Sequence, residues 1–359
     1  MYLNLVPCSD FYISYTREYH LTVCNKNTFP CSLLDRCVAL SGYCFHRMGW
    51  DSRKIRESCV HLQLDDENYL TQPQGLIIQS FHTYQMEGCL TMKTILYYFT
   101  GTGNSLAVAK AISTRLPETE LAPIPKLMLI GEKVTVPDDA NVGIVYPLYA
   151  MGLPKIVMNF FALLDLSHAG YVFSVVTEGG KSGSPTKQIA ALSEKSGHIL
   201  NAAWWIQMPD NYIPFSAPPE KSVEKTIREN ALRKVAVIVE DIKNRQNFIT
   251  GFNVLGNVLK LMYVPFIRNV NNFDKKFVVS PSCNGCQICV RICPVNNIRA
   301  LPHGKKEWLH KCEGCLACLQ FCPVEALSCG GKTANRPRYH HANATVEDML
   351  EQKGSTETN

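Results

Sequence analysis

Eight cysteines towards the end of the chain follow one spacing twice. Each copy has the form C-x2-C-x2-C-x3-C-P, and eighteen residues separate the last cysteine of the first copy from the first cysteine of the second. The copies contain Cys283, Cys286, Cys289 and Cys293, and then Cys312, Cys315, Cys318 and Cys322. A tight loop can aim three closely spaced thiolates at one centre, whereas a fourth thiolate must come from elsewhere. This arrangement suits a cubane of four irons, in which each iron takes one thiolate.

The spacing resembles that of bacterial two-cluster ferredoxins, in which the cysteine before proline ligates the cluster of the other motif. The resemblance implies two crossed ligand sets, one of Cys283, Cys286, Cys289 and Cys322, the other of Cys312, Cys315, Cys318 and Cys293. Zinc is the alternative, because it takes four thiolates from paired C-x2-C units. Three cysteines at this spacing followed by cysteine–proline, twice over, favour 4Fe–4S clusters. Cys329, after the second motif, is expected to be an ordinary packed thiol.

Length and composition limit the class of protein. The 359 residues allow two or three domains, and a hydrophobic content of 46% allows a substantial core. A net charge of +5 without long runs of lysine or arginine does not indicate nucleic-acid binding. We find no apolar stretch of transmembrane length and no N-terminal export signal. Sixteen cysteines then indicate a cytoplasmic protein whose thiols are metal ligands rather than disulfides.

Residues 1–91 differ from the rest of the chain. They show no sustained period of 3.6 or 2, and their seven cysteines follow no ligand spacing that we recognise. Met92 then opens a sharply patterned segment that is typical of a first strand directly after a start codon. We therefore predict that 1–91 is a translated upstream extension of doubtful order, and that the functional protein starts at Met92. A genuine small cysteine-bearing domain is the alternative.

From Met92 onwards strands and helices alternate. Apolar runs at 94–99, 142–149, 171–177 and about 199–208 predict buried parallel strands, and helices are predicted near 103–115, 154–165, 184–197 and 220–245. This alternation predicts βαβ units in a doubly wound α/β fold. The predicted domains are an α/β domain at 92–245, a connector at 246–275, a small cluster-binding α+β domain at 276–331 and a polar tail at 332–359. The apolar stretch 252–267 either docks the two domains or touches a membrane surface, and the tail is expected to fray beyond about Ala344.

A glycine-rich loop lies between the first predicted strand and the first predicted helix. A phosphate there would meet backbone N–H groups at the positive end of a helix, and the glycines let the backbone approach closely. The loop lacks the Lys-Ser/Thr ending of an ATP-binding P-loop, and Leu106 stands in place of the third glycine of the dinucleotide fingerprint. A tight strand-to-helix turn is the alternative. The loop consists of Thr100, Gly101, Thr102, Gly103, Asn104 and Ser105.

This loop resembles the phosphate loop of flavodoxins, Ser/Thr-x-Thr-Gly-Asn-Thr/Ser, at every fixed position. Two more stretches lie where flavodoxins place their ring-binding loops, past strand ends at the switch point of the sheet. Tyr149 either stacks on the flavin ring or only packs, Trp204 and Trp205 are expected in the core, and residues 208–212 are expected at the rim. The implied FMN site also includes Pro147, Leu148, Tyr149, Gly152, Thr177, Gly179 and Gly180.

A flavodoxin-like doubly wound sheet followed by a bacterial-type two-cluster ferredoxin domain resembles the fused flavodoxin–ferredoxin proteins of anaerobic bacteria and archaea, the EFR-type ferredoxin family. The resemblance covers residues 92 to about 342. It implies an electron-transfer flavoprotein that couples FMN to two 4Fe–4S clusters, with protein redox partners as donor and acceptor. A flavin-dependent reductase of a small substrate such as a quinone, and an iron–sulfur redox sensor, are the alternatives. Since we find no convincing catalytic acid, base or nucleophile, the carrier is favoured.

Overall fold

The computed structural model describes residues 11–15, 21–25, 92–180, 185–249 and 263–355. The chain divides into two units, Met1–Gln85 and Met86–Asn359. In the first unit, strands β1 (Phe11–Tyr15) and β2 (Leu21–Asn25) pair in antiparallel register. The period count did not indicate these strands, because five residues are too few to establish a period. The rest of the predicted extension at 1–91 lies outside the described residues.

A six-stranded parallel sheet forms the centre of the second unit, in the spatial order β10-β9-β8-β6-β3-β4. In chain order, its first five strands therefore lie as 2-1-3-4-5, the doubly wound order of flavodoxins, with the switch point between β3 and β6. The predicted α/β fold is confirmed. The strands are β3 (Thr94–Tyr98), β4 (Thr119–Pro123), β6 (Asn141–Pro147), β8 (Tyr171–Glu178), β9 (Ala202–Gln207) and β10 (Phe248–Ile249), and a separate parallel pair joins β5 (Val134–Thr135) to β7 (Leu164–Asp165).

Helices cover both faces of this sheet. Because strand side chains alternate between faces, Ile95 and Tyr97 enter one core and Leu96 and Tyr98 enter the other. Helix α3 ends before the predicted 165, because the chain turns there into β7. The helices are α1 (Asn104–Ser113), α2 (Ile124–Ile130), α3 (Lys155–Phe160), α4 (Pro185–Lys195) and α5 (Lys221–Lys243).

The cysteine-bearing segment consists of short elements. Residues 263–269 are helical and lead into a 3-10 helix at Val270–Lys276. Strand β11 (Phe277–Val279) pairs with β14 (Leu327–Cys329), and β12 (Ile298–Ala300) pairs with β13 (Lys306–Trp308), both antiparallel. The third cysteine of each motif lies in a one-turn helix, α6 (Ile288–Arg291) in the first motif and α7 (Ala317–Gln320) in the second. Turns of 3-10 helix lie at Pro302–Gly304 and Gly331–Thr333.

The last element is helix α8 (Val346–Lys353). It begins with a reciprocal capping box, in which Thr345 and Asp348 each accept a backbone hydrogen bond from the other. The helix buries Met349 and Leu350. The prediction that the tail frays beyond about Ala344 is therefore wrong.

Part of the apolar connector stretch, residues 252–262, lies outside the described residues. Tyr263, which follows them, is buried and donates its hydroxyl to the carbonyl oxygen of Leu153 at 2.8 Å. This contact joins the end of the connector to the α/β sheet. Among the helices that the structure describes, none combines the length and the apolar character needed to cross a membrane.

Candidate functional site

The eight motif cysteines line two separate cavities. Each has a cavity volume of about 20 Å³. In each cavity three cysteines come from one motif, and the fourth is the cysteine before proline of the other motif. The thiols are thus grouped in the same two sets that the resemblance to two-cluster ferredoxins implies. The first cavity is lined by Cys283, Cys286, Cys289 and Cys322, and the second by Cys293, Cys312, Cys315 and Cys318.

Left-handed backbone positions repeat together with the cysteines. Four of the six are not glycine, so the loop path costs conformational strain that the packing around it must offset. The duplicated spacing in the sequence is therefore also a duplicated backbone path. The matching pairs, each twenty-nine positions apart, are Gly285 (φ 74°) and Gly314 (φ 65°), Gln287 (φ 59°) and Leu316 (φ 60°), and Asn296 (φ 51°) and Glu325 (φ 48°).

Hydrogen bonds hold the second cavity's sulfurs and connect the two motifs. The backbone N–H of Asn297 donates to Cys293 Sγ at 3.2 Å, and Cys312 Sγ accepts the N–H two residues further along at 3.3 Å. The side-chain amide of Asn297 and the backbone N–H of His310 both donate to the buried Asp274 carboxylate, at 3.0 and 2.9 Å. Burial raises the pKa of Cys312 to about 12. Burial thus favours the neutral thiol over the thiolate at this position unless a positive charge lies beside it.

The two cavities differ in their surroundings. Cys286, in the first cavity, is exposed, and Lys306 contributes to the same lining. The second cavity lies against the α/β domain, and burial raises the pKa of Cys315 and Cys318 well above the usual thiol range. Glu313, between two of its cysteines, accepts a backbone N–H from the first turn of α3 at 2.9 Å. The first cavity thus has an exposed cysteine, whereas the cysteines of the second cavity are buried or partly buried beside the α/β domain.

Each cavity offers four thiols as metal ligands. Within the described ranges, no three His, Cys, Asp or Glu side chains converge closely enough to hold a metal ion. Zinc takes four thiolates on one ion, whereas a 4Fe–4S cubane takes one thiolate on each of its four irons. In kind and number, the four thiols of each cavity meet the ligand demand of a cubane.

The loop at residues 100–105 connects β3 to α1 at the switch point and is buried throughout. Gly103 has φ 92°, and α1 begins after it without a side-chain cap. The hydroxyl oxygen of Thr100 accepts the N–H of Gly103 at 3.0 Å. Ser105 and Thr177 share a hydrogen bond between their hydroxyl groups at 2.8 Å. The structure thus brings the predicted phosphate loop next to one of the predicted ring-binding stretches.

The chain's own C-terminal segment covers this loop through hydrogen bonds. The side chain of Gln352, which is fully buried, forms hydrogen bonds with both backbone polar groups of Thr100. Its Oε1 accepts the Thr100 N–H at 2.7 Å, and its Nε2 donates to the Thr100 carbonyl oxygen at 3.1 Å. The backbone N–H of His341 donates to the carbonyl oxygen of Thr102 at 2.8 Å. Polar backbone groups of the loop are therefore satisfied from within the chain.

Close packing completes the cover. The Tyr339 hydroxyl donates to Asn104 Oδ1 at 2.7 Å. A Cβ added at Gly103 would overlap the Cβ of Ala344, and one added at Gly101 would overlap a carbonyl oxygen of the second cysteine motif. Protein atoms thus pack directly against both glycines of the loop. The side of the loop towards which these Cβ positions point has no room for a phosphate.

The predicted ring-binding stretch after β6 is also packed by protein. Tyr149 and Gly152 exchange backbone hydrogen bonds of 3.0 and 2.9 Å and form a tight turn. The ring of Tyr263 lies on Gly152. The Tyr149 ring meets Phe99 edge-on, with centroids 6.2 Å apart, and its hydroxyl lies 2.6 Å from where a Cβ on Gly101 would be. Tyr149 therefore contacts the loop itself, as in the packing alternative.

The second ring-binding stretch, after β8, is more open. The Leu148 N–H donates to the Thr177 carbonyl oxygen at 2.9 Å, so the two stretches are adjacent, as predicted. A Cβ added at Gly179 would lie 2.8 Å from the Cβ of Asp210, whereas one at Gly180 would meet nothing within 4 Å. Among the seven residues predicted to bind the ring, Gly179 and Gly180 are the exposed ones.

Residues 208–212 lie beside the loop, where the sequence placed the rim. The carbonyl oxygen of Pro209 accepts the side-chain amide of Asn104 at 3.1 Å, and the Asn211 amide donates to the Thr102 hydroxyl oxygen at 2.8 Å. Trp204 is buried in the core on one face of the sheet, and Trp205 is partly buried against the core on the other face.

The side chains of the adjacent residues His340 and His341 diverge. His341 lies at the loop, and His340 stacks on Phe321 with ring centroids 4.6 Å apart.

Several residues of the site were not identified from the sequence. Glu313, Tyr339 and Gln352 contact their partners across long stretches of chain, which no local pattern indicates. One signal was present: Thr345 followed by Asp348, directly before Met349 and Leu350, is the pattern of a capped helix. That signal predicts α8 but not the surface on which it packs.

Comparisons with known proteins add little. No protein-family profile matches the chain, and no curated protein matches it. One solved structure that aligns in part is a chain from Bacteroides uniformis ATCC 8492, provisionally described as a flavoprotein. It is 16% identical with a TM-score of 0.26, and the alignment covers 38% of this chain and 98% of that one. At this score the likeness carries no argument, so the fold assignment rests on the strand order.

Proposed function

We propose that this chain is an electron-transfer protein that carries two 4Fe–4S clusters beside a flavodoxin-like α/β domain. The observation that supports this most is the partition of the eight motif cysteines into two cavities of four, each completed by the other motif. A zinc-binding pair of loops has no need for such an exchange of ligands. The crossed sets are the arrangement that two-cluster ferredoxins use.

The protein's contribution is to hold the thiolates and to control their surroundings. Cys283, Cys286, Cys289 and Cys322 would ligate the first cluster, and Cys293, Cys312, Cys315 and Cys318 the second. When bound, each cluster supplies a one-electron redox couple. Backbone N–H groups donate to Cys293 and Cys312, and such hydrogen bonds to sulfur tune the potential of a cluster.

The chain also keeps the two sites close together. Cys289 lies in α6 and lines the first cavity, while Cys293, four residues later, lines the second. Four steps along the chain span at most about 14 Å. Because Cys286 is exposed, we assign electron exchange with a protein partner to the first cavity, and we assign the second cavity, beside the α/β domain, to internal transfer.

The flavin expected from the loop is not part of this proposal. The C-terminal segment packs on the loop, so we do not assign the two-electron chemistry of FMN to it. The proposed electron transfer is therefore ascribed to the clusters.

Anaerobic reconstitution with ferrous iron and sulfide tests the proposal. We expect about eight irons and about eight acid-labile sulfides per chain, a broad visible absorption that bleaches on reduction, and an electron paramagnetic resonance signal in the reduced protein. A colourless chain that retains zinc in place of iron would refute it.

A further inference from the structure

Residues 339–352, here called the C-terminal strap, cross the flavodoxin-like loop. We propose that the strap occupies the surface of this loop, and that it excludes FMN from the intact chain until the strap is released. The inference is independent of whether the clusters act in electron transfer. It rests on the mismatch between a loop sequence typical of mononucleotide binding and a loop surface filled by the chain itself.

The strap lies against the residues that form the loop. A phosphate at such a loop accepts hydrogen bonds from backbone N–H groups at the start of the following helix. Gly103, the residue before that helix, is packed against Ala344, so that a Cβ added there would overlap it. The Thr100 N–H is bonded to Gln352, and the Asn104 side chain is bonded to Tyr339 and to Pro209. We therefore expect the docked strap and a bound phosphate to compete for the loop.

The strap is also anchored away from the loop. Asp348 forms a 2.5 Å ion pair with Lys110 on α1, and Lys353, directly after the strap, donates to the carbonyl oxygen of Val290 in the first cysteine motif at 3.2 Å. Met349 packs in the cluster of buried residues that includes Ile292, next to Cys293 in the chain. The strap thus contacts both the loop and the cysteine segment, so its release would have to break contacts with both.

The test is titration of FMN into the anaerobic, cluster-loaded full-length chain, followed by quenching of flavin fluorescence. The strap-weakening variant combines Gln352→Ala with Tyr339→Phe, which removes three hydrogen bonds to the loop without changing a loop residue. Glu351→Ala, an exposed neighbour on α8, is the matched control. We expect the variant to bind FMN at least about tenfold more tightly than the wild-type chain, which is the effect of about one hydrogen bond, and the control to behave as the wild type.

Hydrogen exchange keeps the test decisive if the variant folds poorly. In the wild-type chain, saturating FMN should accelerate amide exchange in α8, because bound flavin and docked strap are exclusive. Flavin that binds the wild type and the variant equally well, or that binds while α8 stays protected, would overturn the inference. A folded variant whose strap is released but which binds no FMN would also overturn the inference. Iron content is measured on the same samples, so failure of the cluster proposal is recognised separately.

Discussion

Paired cysteine substitutions can distinguish crossed from uncrossed ligation. Each cavity is lined by four cysteines, so each should hold four of about eight irons. Cys286→Ser and Cys322→Ser both act on the first cavity, although the two cysteines belong to different motifs. The double variant should therefore retain about four irons per chain, the same as either single variant. Combining Cys286→Ser with Cys293→Ser affects both cavities and should leave about zero irons, although these cysteines belong to one motif.

The assay is iron and acid-labile sulfide per chain after anaerobic reconstitution and gel filtration, with electron paramagnetic resonance of the reduced protein. Cys329→Ala is the control, because this buried cysteine lines neither cavity and should leave about eight irons. The reverse result, with about zero irons for Cys286/Cys322 and about four for Cys286/Cys293, would show uncrossed ligation and refute the reasoning from the cavities.

Two further predictions concern the covered loop. Gly101→Ala places a Cβ onto a backbone carbonyl oxygen, so we expect urea denaturation to show that the free energy of unfolding falls by about 1–3 kcal/mol. Gly180→Ala places a Cβ in open space and should change the free energy of unfolding by less than about 1 kcal/mol. Equal losses in the two variants would contradict the packing at Gly101. Burial, with Arg228 and His340 nearby, lowers the pKa of His341 from 6.5 to about 4, so the folded state favours the neutral ring and stability falls as pH drops below 6.5. Between pH 7.5 and 5 the wild type should lose about 2 kcal/mol more than His341→Gln, and parallel pH profiles in urea denaturation would refute this.

The sequence predicted the centre of the fold because buried parallel strands appear as apolar runs. Strands β3, β6, β8 and β9 fall within or beside the predicted runs, since both faces of each are covered by helices. The edge strand β4 was not predicted, because its sequence TELAP has no apolar run and is only half-buried. Helix α2 was also not predicted, because it is short and contains a proline in its first turn.

Prediction of the site stopped where contacts join distant parts of the chain. The spacing of the cysteines contains both the repeat and its proline within forty residues, and the resemblance to two-cluster ferredoxins that rests on it implies the two sets of cysteines that line the cavities. The loop sequence equally indicates where a phosphate would bind in a flavodoxin. The contact of Gln352 with Thr100 spans 252 residues, and no periodicity or motif encodes it. For this reason the loop was identified and its occupant was not.

The contact of the second cysteine motif with the α/β domain has a consequence for how the two parts depend on each other. The carbonyl oxygen of Cys315 lies against Gly101, and Glu313 accepts a hydrogen bond from α3. If the proposed clusters are bound, loss of the second would loosen these contacts and so disturb the α/β domain. Loss of the first, at the exposed Cys286, would act on the cysteine segment alone.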